Sequence, residues 1–314
     1  RMGRLSFRLA WDMPELEIVH VNEIIGGSVH AAYLVKFDSV HGTWEKECED
    51  GEDGKYFTVA GKRVGFSEEK DFRAVDWKGA GVDIVLDCTG KFLKTEVLQD
   101  YITKCGVKKV VVSAPVKEPS VVNIVMGCND DKVTRDHHIV TAASCTTNCI
   151  GPIIKVIHEN LGIETGMITT VHDVTGTQSL VDMVNTKKND LRRSRSGMLN
   201  LAPTSTGSAT AICEVFPELK GKLNGHAIRV PLLNASITDI VLNVGKDTSA
   251  EEVNALLQDA AAEGPLAATS EHGAILGFET RPLVATDYTN DKRSTIVDAP
   301  STMVVAKRMV KVYA

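Results

Sequence analysis

The stretch Val82-Asp-Ile-Val-Leu-Asp-Cys-Thr-Gly90 constrains the fold more than any other. It is a short apolar run closed by glycine, and Lys108 to Ala114 supplies another after a helix candidate at Leu98 to Cys105. Continuous Val and Ile runs mark strands buried on both faces, a demand met by parallel strands joined through helices. Upstream, Leu5, Leu9 and Ala10 suit one helix face, and Leu16 to Val21 reads as a strand ending in Asn22-Glu23. Residues 1–144 therefore predict an α/β domain, a Rossmann-type doubly wound parallel sheet, with the polar stretch Gly42 to Lys70 forming loops or hairpins off it. Beyond residue 163 the texture becomes strand upon strand: Ile168 to Val174, Ala227 to Leu232, Ala235 to Val244, Ala274 to Phe278, Ser294 to Val297 and Met303 to Val312, with helices near 207–215 and 249–262. That order predicts an α+β, mostly antiparallel domain over 145–314, with the boundary near 144/145.

Composition narrows the function classes. Lys and Arg number 35 against 41 Asp and Glu, a net charge of −6 with no basic excess for nucleic acid. Apolar runs such as Val107 to Val116 are broken by Lys well short of a membrane span. Seven cysteines at 48, 88, 105, 128, 145, 149 and 213 form no disulfide framework and suit a reducing compartment. With no CxxC pair, and with His137-His138 lacking ligand partners at suitable spacing, no metal site is expected. The opening Arg-Met-Gly-Arg-Leu resembles neither a signal peptide nor a transit segment.

Three places carry chemistry. Gly3 precedes an amphipathic helix and Glu23 ends a strand about 20 residues on, the back half of a dinucleotide-binding fingerprint. There, glycine lets a helix N-terminus approach a pyrophosphate, and the acid accepts hydrogen bonds from a ribose hydroxyl. Cys145 lies between the strand His138 to Ala143 and the helical period Ile150, Ile153, Ile154, Ile157, Leu161. A thiol at a helix N-terminus faces unpaired N–H groups and the positive dipole end, which favour the thiolate and can also hold an oxyanion. Cys149, four residues on in the helix, is expected to pack inward. His172 ends the run Ile168-Thr-Thr-Val171, from which it could project as a base toward the thiol. The basic segment Lys187-Lys188 with Arg192-Arg193-Ser-Arg195 reads as a solvated loop, with an anion-facing loop as its alternative.

Ala143-Ser-Cys145-Thr-Thr-Asn-Cys149 followed by Thr170-Val-His172-Asp-Val-Thr175 resembles the active-site signature of the glyceraldehyde-3-phosphate dehydrogenase family. The resemblance runs along essentially the whole chain, through Cys88-Thr-Gly-Lys-Phe92, Ser113-Ala-Pro115, Leu191-Arg-Arg193, Pro203-Thr-Ser-Thr-Gly207, Arg229-Val-Pro231 and Ile296-Val-Asp298. It implies a nucleophilic Cys145 with His172 as general base, NAD as cofactor, a thioester intermediate and its cleavage by inorganic phosphate. By the family pattern Thr175 and Arg229 hold the substrate phosphate, while Ser144, Thr146, Thr206 and Gly207 hold the attacking phosphate. Arg1, Met2, Gly3, Asn22, Glu23, Thr89, Gly90 and Ser113 fall on dinucleotide-contacting positions, and Glu23 stands where most relatives have Asp, which implies NAD over NADP.

The resemblance also implies a homotetramer in the cytoplasm, an organelle remaining open, and a family pattern extending beyond both ends with a first strand and a C-terminal helix. The basic loop at 182–190 is longer than the family's and lacks its usual Pro. Val19-His-Val-Asn-Glu23, His172-Asp-Val-Thr175 and Leu232-Leu-Asn-Ala-Ser236 resemble a subgroup associated with arsenate resistance, in which arsenate replaces phosphate. Competing expectations are an erythrose-4-phosphate dehydrogenase and a non-catalytic scaffold subunit.

Overall fold

The computed structural model describes residues 1–186, 190–268 and 273–314. It divides into two units, 1–123 with 132–143, and 124–131 with 144–314.

The first unit opens with helix α1 (Met2–Trp11), strand β1 (His20–Asn22) and helix α2 (Gly27–Lys36). A small hairpin, β2 (Phe37–Asp38) and β3 (Gly42–Thr43), leads to β4 (Cys48–Asp50), β5 (Tyr56–Val59) and β6 (Lys62–Ser67). Then come β7 (Ile84–Asp87), α3 (Thr95–Thr103), β8 (Lys109–Val112), β9 (Val122–Asn123) and β10 (Ile139–Thr141). They form two four-stranded sheets, β1-β6-β5-β4 and β7-β8-β10-β9. All pairings in the second sheet are parallel, and β1 runs parallel to β6. Leu98 and Tyr101 of α3 bury against Val85, Val110 and Val112, while Phe7 of α1 packs with Ala32 and Val35 of α2 on Phe57, Val59 and Val64. This is the Rossmann-type parallel architecture, but the polar stretch Gly42 to Lys70 does not lie off the sheet as expected: it forms the antiparallel run β4, β5 and β6, whose alternating buried residues Phe57, Val59, Val64 and Phe66 pack in the core, and β6 joins β1 in parallel.

The second unit holds α4 (Cys145–Leu161), β11 (Ile163–His172), β12 (Ala202–Ser205), α5 (Ser208–Val215), β13 (Leu223–Arg229) and β14 (Ser236–Val244). After α6 (Ala250–Ala262) follow β15 (Leu276–Glu279), β16 (Thr295–Asp298), β17 (Met303–Val305) and β18 (Met309–Tyr313). One mixed six-stranded sheet has the order β12-β13-β11-β14-β18-β17. Its pairings are antiparallel except β11 with β13, and the separate pair β15 and β16 is parallel too. The register of β11 on β13 sets His172 opposite Arg229, and that of β11 on β14 sets it opposite Ser236.

Period-two burial in β11 places Ile168, Thr170 and His172 on one face. Helix α4 covers that face: Cys149 Sγ lies 3.7 Å from Thr238 Oγ1, which is itself 3.4 Å from Thr170 Oγ1. One helical turn from Cys149 back to Cys145 advances about 6 Å. Two strand residues from Thr170 to His172 advance about 6.7 Å. The near match of these repeats carries the thiol from above Thr170 to above His172.

Candidate active site

Ala143, at φ 52°, turns the chain through the left-handed region between β10 and α4. A non-glycine residue held there costs about 1–3 kcal/mol, a strain that clusters at functional sites. Ser144 caps α4, its Oγ accepting from Thr147 N at 3.1 Å, and Cys145 is the first helical residue. Cys145 Sγ lies 3.4 Å from His172 Nε2. Cys145 is an exposed residue, and although partial desolvation of its sulfur pushes the thiol up, the hydrogen bond and charge of His172, with the N–H of Thr146, outweigh it and hold the pKa below the ordinary thiol value. The Thr146 side chain, itself buried, also bonds toward the sulfur.

His172 is 8% exposed. Its Nδ1 lies 2.6 Å from Asp173 Oδ1 and 2.9 Å from the Asp173 carbonyl, which also accepts from Arg229 Nη1 at 2.9 Å. Arg229 Nη1 is 2.6 Å from the same Nδ1. Burial disfavours the charged ring, yet the Asp173 carboxylate, Cys145 and the Asp173 backbone together raise its pKa to about 9 against the opposing charge of Arg229.

Two polar clusters flank the pair. Ser144 Oγ lies 3.0 Å from Ser208 Oγ, and Ser208 accepts from Thr206 Oγ1 at 3.1 Å, so one hydroxyl chain links the starts of α4 and α5, with Gly207 as the N-cap of α5. In the other, Arg193 donates to Thr177 Oγ1 at 2.9 Å and Thr204 Oγ1 at 3.0 Å, and Thr175 Oγ1 lies 3.0 Å from Thr177 Oγ1. The Nε donors of Arg193 and Arg229 are buried and meet no acceptor. Burial and the neighbouring Arg193 charge both lower the Arg229 pKa. Two cations sharing a site with unanswered donors suit an anion.

The structure thus brings together Ser144, Thr146, Cys145, His172 and Arg229, chains Thr206 to Ser144 through Ser208, and groups Thr175 with Thr177 and Arg193. Sequence reading missed Thr177, Arg193 and Ser208 as site residues. Arg193 corrects the solvated-loop reading, being 6% exposed, although Arg192 and Arg195 are exposed as expected. Its sequence signals were its place in a basic cluster and in the family-like stretch Leu191-Arg-Arg193, neither of which tells the buried arginine from its neighbour Arg192. Lys187 and Lys188 lie outside the described residues. Cys149 packs inward, 8% exposed, against Thr238 and Thr295. Among the described residues no three His, Cys, Asp or Glu side chains are grouped to hold a metal, and no helix is long and apolar enough to cross a membrane.

In the first unit Arg1 caps α1 and Met2 and Gly3 start it, Asn22 ends β1 with Glu23 just beyond, and Thr89 with Gly90, and Ser113, follow the C-terminal ends of β7 and β8. In a doubly wound sheet these ends are where dinucleotides bind. A Cβ on Gly3 would stand 3.3 Å from Cys88 Cβ, the close helix-to-strand approach that a fingerprint glycine permits, so the residues fit a dinucleotide. Glu23 is exposed, its carboxylate accepting from Ile24 N at 2.8 Å. The Asn22 amide ties down the end of β6 and the residues after it, donating to the Glu69 carbonyl and accepting from Ser67. Thr89 turns its hydroxyl onto Asp87 at 2.6 Å, Gly90 sits at φ 63°, and Ser113 bonds the Cys88 thiol.

A parallel nucleotide-binding unit joined to a mixed-sheet unit with a thiol–imidazole pair places the chain in the class of two-domain, nicotinamide-dependent dehydrogenases. Residues 1–95 match the profile described as glyceraldehyde 3-phosphate dehydrogenase, NAD binding domain, and residues 144–314 match that family's C-terminal domain. The chain is 55% identical over its whole length to glyceraldehyde-3-phosphate dehydrogenase 3 of Nostoc sp. and 44% identical to glyceraldehyde-3-phosphate dehydrogenase of Geobacillus stearothermophilus, covering 90% of each. It is 39% identical to glyceraldehyde-3-phosphate dehydrogenase 3 of Saccharomyces cerevisiae, again covering 90% of that protein. The chain belongs to the glyceraldehyde-3-phosphate dehydrogenase family.

Proposed function

We propose that the chain oxidises glyceraldehyde 3-phosphate to an acyl phosphate, with residues 1–144 as the NAD domain and 145–314 as the catalytic domain. The observation that carries this reading is the 3.4 Å contact of Cys145 with His172 at the start of α4, in a chain of this family. The Cys145 thiolate attacks the aldehyde carbon; the C–S bond forms, and the carbonyl oxygen takes the proton from His172 Nε2. That hydroxyl proton returns to Nε2 as the carbon is oxidised to the thioester. NAD, when bound, is the two-electron acceptor that the oxidation needs. Arg1, Met2, Gly3, Asn22, Glu23, Thr89, Gly90 and Ser113 are the residues that would hold it. The exposed Glu23 carboxylate suits a free ribose hydroxyl and repels a phosphorylated one. An inorganic phosphate seated on Ser144, Thr146, Thr206 and Gly207, between the N-termini of α4 and α5, then attacks the thioester and the thiolate leaves. Thr175 and Arg229, with Thr177 and Arg193 beside them, hold the substrate's own phosphate.

A homotetramer suits the outward sheet face, where Met167, Ile237, Met303, Val305 and Met309 are exposed together; light scattering on the purified protein tests it. Seven free thiols suit a reducing setting, the cytoplasm first. The activity is tested by NADH formation from glyceraldehyde 3-phosphate and phosphate, alongside Cys145→Ser. Turnover confined to the parent protein supports the reading, and equal turnover in the variant refutes it.

A further inference from the structure

We infer that Asp173 is a positioning residue that completes a Cys145–His172–Asp173 triad, its carboxylate holding a proton on Nδ1 of His172 so that Nε2 faces the sulfur. The inference deepens the proposed function and rests on that reading of the Cys145 site. Asp173 follows the last residue of β11, so the alternation of the strand no longer forces its side chain to the opposite face. Backbone bonds from Asp173 N to the Ala235 carbonyl at 3.1 Å and from Val174 N to the Leu232 carbonyl at 2.9 Å fix the chain there. The carboxylate, 15% exposed, then sits 2.6 Å from Nδ1.

The charged and titratable groups facing the ring are Cys145 from α4, Arg229 from β13 and Asp173 itself, with Arg193 acting through Arg229. They decide the tautomer. An Nδ1 without hydrogen would turn its lone pair on both the Asp173 carboxylate and the Asp173 carbonyl. A protonated Nδ1 satisfies both acceptors, which together outweigh the one donor opposing it, Arg229 Nη1 at 2.6 Å, and Arg229 keeps its own bond to the carbonyl at 2.9 Å. The proton therefore belongs on Nδ1, leaving the Nε2 lone pair for the thiol proton. Once Nε2 takes that proton, the ring is a cation between thiolate and carboxylate. Asp173 stabilises it and so extends the pH range over which His172 can give a proton to the carbonyl oxygen.

The sign follows from the charges. Loss of the carboxylate destabilises the imidazolium, so the ring gives up its proton at lower pH; the arginines stay charged throughout and cannot replace it. The test compares the rates at which Cys145 is alkylated by iodoacetate and by iodoacetamide across pH. The anionic reagent is favoured only while the ring is charged, so the fall in the rate ratio titrates the imidazolium without requiring turnover. In the parent protein the fall is expected near pH 9. Asp173→Asn should move it down by about one pH unit or more, and Asp173→Glu should restore part of the shift. kcat for NADH formation above about pH 8 should fall about tenfold in Asp173→Asn, with little change in KM. A fall at the same pH in a folded Asp173→Asn protein overturns the inference; should that variant fail to fold, Asp173→Ser is read in the same way. Shifted alkylation in a parent protein that forms no NADH leaves the triad and removes the proposed function. Turnover with unshifted alkylation does the reverse.

Discussion

Cys145, itself exposed, shares the chain with six other free thiols, and loss of solvent around the sulfur is the first influence on all of them. It raises Cys48, Cys88, Cys105, Cys149 and Cys213, and pushes Cys128 up to about 12. Only at Cys145 do an imidazole and a helix-start N–H reverse the direction. A limiting amount of iodoacetamide near neutral pH should therefore label Cys145 first, as peptide mass mapping would reveal; preferential labelling of any other cysteine contradicts this ordering. The arginines separate by a similar argument. Arg229→Ala and Arg193→Ala should each lower kcat/KM for the phosphorylated aldehyde about 10- to 100-fold, the loss of a charged hydrogen bond. Only Arg229 also touches His172, so only its variant should change the pH profile with an unphosphorylated aldehyde. Identical behaviour of the two variants on both substrates would rule out this division. Cys145, His172 and Arg229 were legible because their neighbours form recognisable motifs. Thr177, Arg193, Ser208 and Asp173 were not, since their roles depend on which side chain a fold brings within 3 Å, and Asp173 looked like any polar residue after a strand.

The strand pair β11 and β13 is the element on which the site depends, because its register sets His172 against Arg229. Gly225 makes that pairing possible: a Cβ there would lie 2.1 Å from the Ile168 carbonyl oxygen. Gly225→Ala should cost about 2 kcal/mol or more in denaturant unfolding and reduce activity in the protein that still folds. Unchanged stability would mean that the strands can separate without loss. The same glycine hid the strand, which runs Leu223–Arg229 and not from Ala227 to Leu232, since Asn224-Gly225 reads as a turn. Other departures have equally local causes. Helix α2 went unread because Gly26-Gly27 introduces it and Val29, Tyr33 and Leu34 remain exposed, leaving no clear apolar stripe. Met303 to Val312 is a hairpin and not one strand; its turn places Ala306 and Lys307 at φ 48° and 60°, where no Gly or Asn announces it. Strand β1 starts only at His20, and β11 begins earlier, at Ile163, and ends at His172. By contrast α4, β7, β8 and β14 were readable from unbroken apolar patterns, where burial and local preference agree.

At the scale of the molecule, the chemistry has two anions to place: the substrate's phosphate and the attacking one. The Ser144–Ser208–Thr206 chain and the Arg193–Thr177–Thr175 cluster supply chemically different settings, hydroxyls at helix starts in one and guanidinium groups in the other. If the first receives the attacking oxyanion, omitting that oxyanion should stop the reaction after oxidation. The chain should then release a burst of NADH of about one per Cys145 and go no further. Adding phosphate or arsenate should each restore steady turnover, because hydroxyls and backbone N–H groups bind a tetrahedral oxyanion by shape and charge. The ratio of the two efficiencies measures which one this site prefers. Replacing the aldehyde by erythrose 4-phosphate should give slower, still oxyanion-dependent turnover. Steady NADH formation without any oxyanion, fastest with the longer sugar, would show that water cleaves the thioester. The hydroxyl chain would then have another role, and the erythrose-4-phosphate reading would replace the one proposed. A folded, NAD-bound chain with no burst at all would leave the fold and remove the chemistry, as expected of a scaffold subunit.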